Sequence, residues 1–128
     1  MDKEVSEDQM ANKVCLVIKS SPYRSGRAAE GLRLATAMVA MNVIPRIIFI
    51  DDGVFCLLKD QKPEAAGSSS FLERLKTVAD LIGVHAVSDS MVKRNLKGSD
   101  LDSAFNAETM SLNEAAERIA EAEATITF

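Results

Sequence analysis

Two thiols, one histidine and a pair of adjacent carboxylates are the side chains of this sequence with chemistry to offer. Cys15 and Cys56 are its two cysteines and His85 its one histidine; Asp51 and Asp52 stand side by side, just ahead of Gly53, Val54, Phe55 and Cys56. A cysteine reacts as its thiolate, which a helix N-terminus favours and which neighbouring carboxylates and apolar burial disfavour. Cys56 therefore has two readings: a reactive thiol at a strand end, or a packed cysteine. Asp51, Asp52, Phe55, Leu57 and Leu58 around it favour the second. Cys15, inside V-C-L-V-I, reads as a small buried hydrophobe. His85 reads as a strand histidine with a backbone partner, because no nucleophile stands beside it to need a general base. Asp51 and Asp52 suit a turn and a helix cap better than general-acid work, and without further ligands they make a poor metal site. Two cysteines and one histidine cannot build a structural zinc site from one chain. Neither metal nor cofactor is expected.

The segment that positions these groups is Pro45 to Leu58. Ile47, Ile48, Phe49 and Ile50 form a short apolar run of β-branched and aromatic residues, as in a parallel strand buried on both faces. Asp51-Asp52-Gly53 stops it, with Gly53 free to take a left-handed backbone. In open α/β sheets ligands gather beyond the carboxyl ends of strands, which is where this turn falls. Val14 to Ile18 predicts a first strand. The following S-S-P-Y-R-S-G-R leads to a helix N-terminus, where free N–H groups and the helix dipole favour an anion. Ser20, Ser21, Tyr23, Arg24 and Gly26 form this candidate anion-binding loop. It lacks both glycine-rich phosphate-loop patterns, so an ordinary turn is the competing reading.

Further elements follow from spacing. Ala28, Leu32, Ala35 and Val39 predict a helix over 27–41. Lys59 to Ser69, rich in Lys, Pro, Gly and Ser, predicts a mobile loop. Ser70 and Glu73 have capping-box spacing for a helix reaching about Ile82 and ended by Gly83. Val84 to Val87 predicts a third strand, then Ser88-Asp89-Ser90 and a helix over 91–96, where Lys93, Arg94 and Lys97 read as a solvated basic end. Ala107 to Met110 is a weak fourth strand. Ser111 and Glu114 box a helix over 112–122, and Ala124 to Phe128 alternates as a fifth strand with Phe128 tucked in. The alternation of strand and helix predicts an α/β three-layer sandwich: a mostly parallel sheet of about five strands with helices on both faces.

The chain has 128 residues, 47% hydrophobic and 27% charged, the balance of an ordinary soluble protein. This predicts an acidic flexible tail over 1–12 and a single domain over 13–128. A net charge of -4 argues against direct nucleic-acid binding. The first residues lack a basic stretch followed by an apolar core, and no run suits a membrane span, so a cytoplasmic protein with free thiols is expected.

I-F-I-D-D-G-V-F-C-L-L, with S-P-Y-R-S-G-R-A-A-E-G-L upstream, resembles the DsrE/DsrF-like sulfur-relay family, and within it the DsrF/TusC branch. The resemblance runs from about Lys13 to Phe128. It implies a DsrE-like, flavodoxin-like topology and homo- or hetero-oligomers with DsrE-like subunits, with the loop of Ser20, Ser21, Tyr23, Arg24 and Gly26 near subunit contacts. It further implies partners that carry persulfide, and work in intracellular sulfur oxidation or tRNA thiolation. Members that carry sulfur have a cysteine just after the third strand; here that position is Ser88, with Ser90 next if the register slips. Serine cannot hold a persulfide. The resemblance therefore implies a partner subunit without independent turnover. A scaffold that binds a small anion without chemistry, and a carrier acting through Cys56, are the two alternatives.

Overall fold

The apolar runs become five parallel strands in the computed structural model, which describes residues 14–22, 26–59 and 69–128. They are β1 (Val14–Ile18), β2 (Arg46–Phe49), β3 (Gly83–Val87), β4 (Glu108–Met110) and β5 (Ala124–Thr127), in the spatial order β4-β3-β2-β1-β5. Register places Cys15 beside Arg46 and Thr125, Ile48 beside His85, and His85 beside Glu108. Because neighbours in register share a face, β1 alternates Cys15 and Val17 on one side with Leu16 and Ile18 on the other.

Handedness distributes the helices. The chain steps from β1 to β4 in one direction, and right-handed crossovers then put the intervening helices on one face; the return from β4 to β5 reverses direction and puts its helix on the other. Helices α1 (Arg27–Ala40) and α2 (Ser69–Ala79) accordingly bury Leu32, Ala35, Leu75 and Val78 against Leu16, Ile18, Ile47, Phe49 and Ala86. A short α3 (Ser88–Lys93) lies at the carboxyl end of β3. Helix α4 (Leu112–Glu121) covers the opposite face, closing Cys15, Ile48, Val87 and Met110 under Ala115. This is the expected three-layer α/β sandwich.

Local chemistry explains the boundaries. Ser111 Oγ accepts from Glu114 N–H at 3.1 Å and the Glu114 carboxylate accepts from Ser111 N–H at 3.2 Å, so the predicted capping box starts α4. Helix α2 stops at Ala79, short of the expected Ile82; Ile82 N–H closes the turn on Val78 O at 3.2 Å, and Gly83 opens β3 instead of ending the helix. The Ser70 side chain and the 60–68 loop, like the 1–12 tail, lie outside the described residues. Gly31 lies where α1 crosses the sheet: a Cβ there would stand 2.6 Å from Ile18 Cδ1 and 2.9 Å from the Phe128 ring. Phe128 is tied down as expected, its N–H donating to Val17 O at 2.8 Å and its carbonyl accepting from Lys19 N–H at 2.7 Å.

Candidate functional site

The carboxyl ends of β1, β2 and β5 meet the start of α1 around a cleft of about 520 Å³, lined among others by Lys19, Ser20, Ser21, Arg27 and Asp52. Helix α1 begins here at Arg27, with Gly26 as an N-cap that supplies no side-chain acceptor. Its first N–H groups and dipole add to the charges of Lys19 and Arg27. Ser20 and Ser21 are thus brought together with Asp52, as a strand-end site requires. Lys19 and Thr127 complete the wall. Sequence reasoning passed over both, because Lys19 reads as an ordinary polar residue after the first strand and Thr127 as one more residue of the alternating fifth. Tyr23 and Arg24 lie outside the described residues.

The floor of the cleft is the turn after β2, a 3₁₀ segment over Asp51–Leu57. Asp51, not Gly53, holds the left-handed backbone, with φ 53°. Gly53 is required for space: a Cβ there would collide with the carbonyl oxygen of Ile18. That oxygen also accepts from Ile50 N–H at 3.0 Å, which clamps the turn to the end of β1. Neither aspartate caps a helix, contrary to the sequence expectation; the segment's N-cap residue is Ile50. Asp52 is instead held by Arg94 of the α3 region, and Asp51 N–H donates to Ser90 Oγ at 2.9 Å. Arg94, expected at a solvated basic end, is therefore half-buried and paired. No local signal marks it: Asp52 stands 42 residues away, and only the tertiary fold brings the two together.

Cys56 lies beneath this floor, fully buried, its Sγ 3.9 Å from Ser20 O. It falls near the end of the 3₁₀ segment and not at its start. Burial pushes its thiol up to about 12, so it is protonated at neutral pH. Cys15 is also buried and its pKa is raised by desolvation.

Ser88 lies apart from the cleft, as the first residue of α3 instead of in a linker before it. Its Oγ donates to Met110 O at 3.2 Å, and with Asp89, Val92 and Lys93 it lines a separate open pocket of about 370 Å³. His85 differs from expectation too: its partner is a side chain, Arg46 Nη1, 3.0 Å from Nε2. The arginine donates, so the ring is neutral and Nε2 accepts. Burial first, and then the charge of Arg46, depress its pKa to about 4.

A family model described as DsrE/DsrF-like matches residues 12–128. The chain belongs to the DsrE/DsrF-like family. A protein of Vibrio parahaemolyticus named "Protein TusC homolog" is 29% identical over 119 residues, covering 91% of this chain and 99% of its own. Another of that name from Aliivibrio fischeri is 32% identical over 101 residues, covering 74% and 86%. The YchN protein of E. coli has a similar structure, with a TM-score of 0.76 and 27% identity over 91% of this chain and 98% of that one. MTH1491 of Methanobacterium thermoautotrophicum shares the fold, with a TM-score of 0.63 at 18% identity over 90% and 96%. In this DsrE/DsrF-like chain the segments that carry the likeness, E-G-L and D-G-V-F, both close on Ile18: Gly31 meets its side chain and Gly53 its carbonyl.

Proposed function

We propose that this protein is a non-carrying subunit of a sulfur-relay assembly, shaping the site of a cysteine-bearing DsrE-like partner in intracellular sulfur oxidation or tRNA thiolation. The observation that carries the reading is Ser88. It occupies the strand-end position where the family resemblance places a carrier cysteine, and its hydroxyl is bonded to Met110 O. The chain's two thiols, Cys15 and Cys56, are buried and protonated, so neither offers a nucleophile. Sulfur then passes between partners. An acceptor thiolate attacks the outer sulfur of a donor persulfide, a new S–S bond forms, the old one breaks, and the donor leaves as thiolate. The chain contributes surface and no bond-making atom. The names of the TusC homologues support the reading.

The test is intact-mass spectrometry after incubation with a persulfide donor, on wild type, Cys56→Ser and Ser88→Cys. Wild type gains no sulfur and Ser88→Cys gains one. One sulfur on wild type that is lost in Cys56→Ser would make Cys56 the carrier and overturn the reading. Native mass spectrometry with a cysteine-bearing DsrE-like subunit then tests the assembly.

A second reading rests on the cleft. Lys19, Arg27 and the start of α1 meet at one cavity whose Asp52 carboxylate is paired with Arg94, which suits an oligomeric scaffold that holds a small anion without chemistry. Calorimetric titration with sulfate and thiosulfate distinguishes it: binding lost in Lys19→Ala, with inert thiols and no association with a cysteine-bearing subunit, favours the scaffold.

A further inference from the structure

His85 sits on the face of the sheet that α4 covers. In register it stands between Ile48 of β2 and Glu108 of β4, and by strand alternation it shares a face with Val87. Ile48 and Val87 close under Ala115 of α4, so the buried imidazole belongs to the layer that this helix shields from water.

Charges reach the ring from β2, β4 and α4. Arg46 of β2 donates from Nη1 to Nε2 at 3.0 Å. A proton on Nε2 would remove the lone pair that accepts this bond and set two donors against each other. Burial and Arg46 therefore oppose the proton most. Glu108 of β4 favours it, Arg118 of α4 opposes it, and Glu114 of α4 favours it least of all, so the two charges on α4 together oppose it. Both carboxylates are exposed, where water weakens their pull. The Cys15 thiol lies on the same face, in register with Arg46 and 3.7 Å from Arg118 O.

Of these elements α4 is the one able to yield. Arg46, His85 and Glu108 are fixed in the parallel ladder. Helix α4 rests on buried Ala115, partly buried Ile119 and Ala122, and the bonds of Asp89 and Ser111 at its start. Lifting it returns water to the imidazole and carries Arg118 away, and both changes favour the proton. By linkage, the state that binds a proton more tightly gains population as pH falls. We propose that α4 is an acid-released lid, which lifts from the sheet when His85 takes a proton and uncovers the face that holds Cys15 and Arg46. Such a lid operates whatever the chain does with sulfur.

Hydrogen exchange of the full chain, followed by mass spectrometry, tests it, with each rate divided by that of the unfolded peptide at the same pH. Protection over 112–121 falls about tenfold from pH 7 to pH 5 in wild type, and at both pH values stays below protection over 28–40, which marks the opening as local. His85→Gln keeps an acceptor for Arg46 and removes the titration, so its protection over 112–121 changes less than about twofold across the same range. Equal protection of the two helices, no fall in wild type, or a fall that persists in His85→Gln overturns the lid. If His85→Gln does not fold, Arg118→Gln decides. Without the cation that α4 carries away, the fall shrinks to about threefold; an unchanged tenfold fall overturns the proposal.

Discussion

Arg94 grips one oxygen of Asp52 with two nitrogens, Nε and Nη2 each standing 2.9 Å from Oδ1. Its third nitrogen, Nη1, donates to Ser90 O at 3.2 Å. One side chain thus ties the turn after β2 to the helix after β3, and holds the carboxylate that lines the cleft.

Cutting this tie is expected to loosen the turn without unfolding the chain. Asp52 is partly exposed, so water screens the pair and its coupling is about 1 kcal/mol. A double-mutant cycle of Arg94→Ala and Asp52→Ala in urea denaturation measures it. Salt weakens the coupling, because the pair reaches the surface. A coupling near zero at low salt would show that the Ser90 contacts alone hold the turn.

Gly53 and Gly26 predict opposite outcomes for the same change. Gly53→Ala forces a methyl group into a backbone oxygen that cannot rotate away, and is expected to cost about 3 kcal/mol or to prevent folding. Gly26→Ala meets nothing within 4 Å among the described residues and its φ of -80° suits any residue, so its stability stays within about 0.5 kcal/mol of wild type. Urea midpoints of the two variants check the contrast. Gly31→Ala falls between them, because the Ile18 and Phe128 side chains it meets can shift.

His85 gives stability a pH dependence of definite sign. Its folded pKa of about 4 lies below the ordinary 6.5. Between those values the unfolded chain binds the extra proton, so stability is complete above about pH 6.5 and falls as pH drops towards 4. The loss reaches about 3 kcal/mol at the bottom of that window. The urea midpoint of wild type at pH 7 and pH 5, set against His85→Gln, isolates it: the variant keeps the carboxylate contribution and loses this one. An unchanged pH slope in His85→Gln would place the titration elsewhere.

The fold was legible where burial writes itself into residue type. Val14 to Ile18 and Ile47 to Phe49 are apolar because both their faces are covered, and Ser111 with Glu114 marks the start of α4 by a local bond. The site was legible only in part. Ser20, Ser21 and Asp52 follow from the rule that strand ends gather ligands. The partner of Asp52 is 42 residues away, and Arg94 reads as one more surface cation until the fold brings it back. The Arg46–His85 bond is hidden for the same reason, since the register of β2 on β3 decides it. Gly53 suggested a left-handed turn, yet Asp51 takes that conformation and Gly53 is needed for clearance. A glycine in a sequence does not say which of its two uses applies.

Helix α4 alone covers its face among the described elements, so its cap should govern access to Cys15. The Cys15 thiol lies 3.7 Å from Arg118 O of that helix and is fully buried. Ser111→Ala removes the acceptor for Glu114 N–H and is expected to cost about 1 kcal/mol. The loss falls on α4 first, because Ala115 is its one fully buried residue, with Ile119 half-buried beside it and Leu112 N–H bonded to Asp89. Local opening of α4 exposes Cys15 without exposing Cys56, which lies on the other side of the sheet in the larger core. Labelling with a maleimide under native conditions, followed by peptide mapping, should show Cys15 modified about fivefold faster in Ser111→Ala and Cys56 unchanged. Equal acceleration of both thiols would mean that they are exposed by global unfolding, and that α4 does not open by itself.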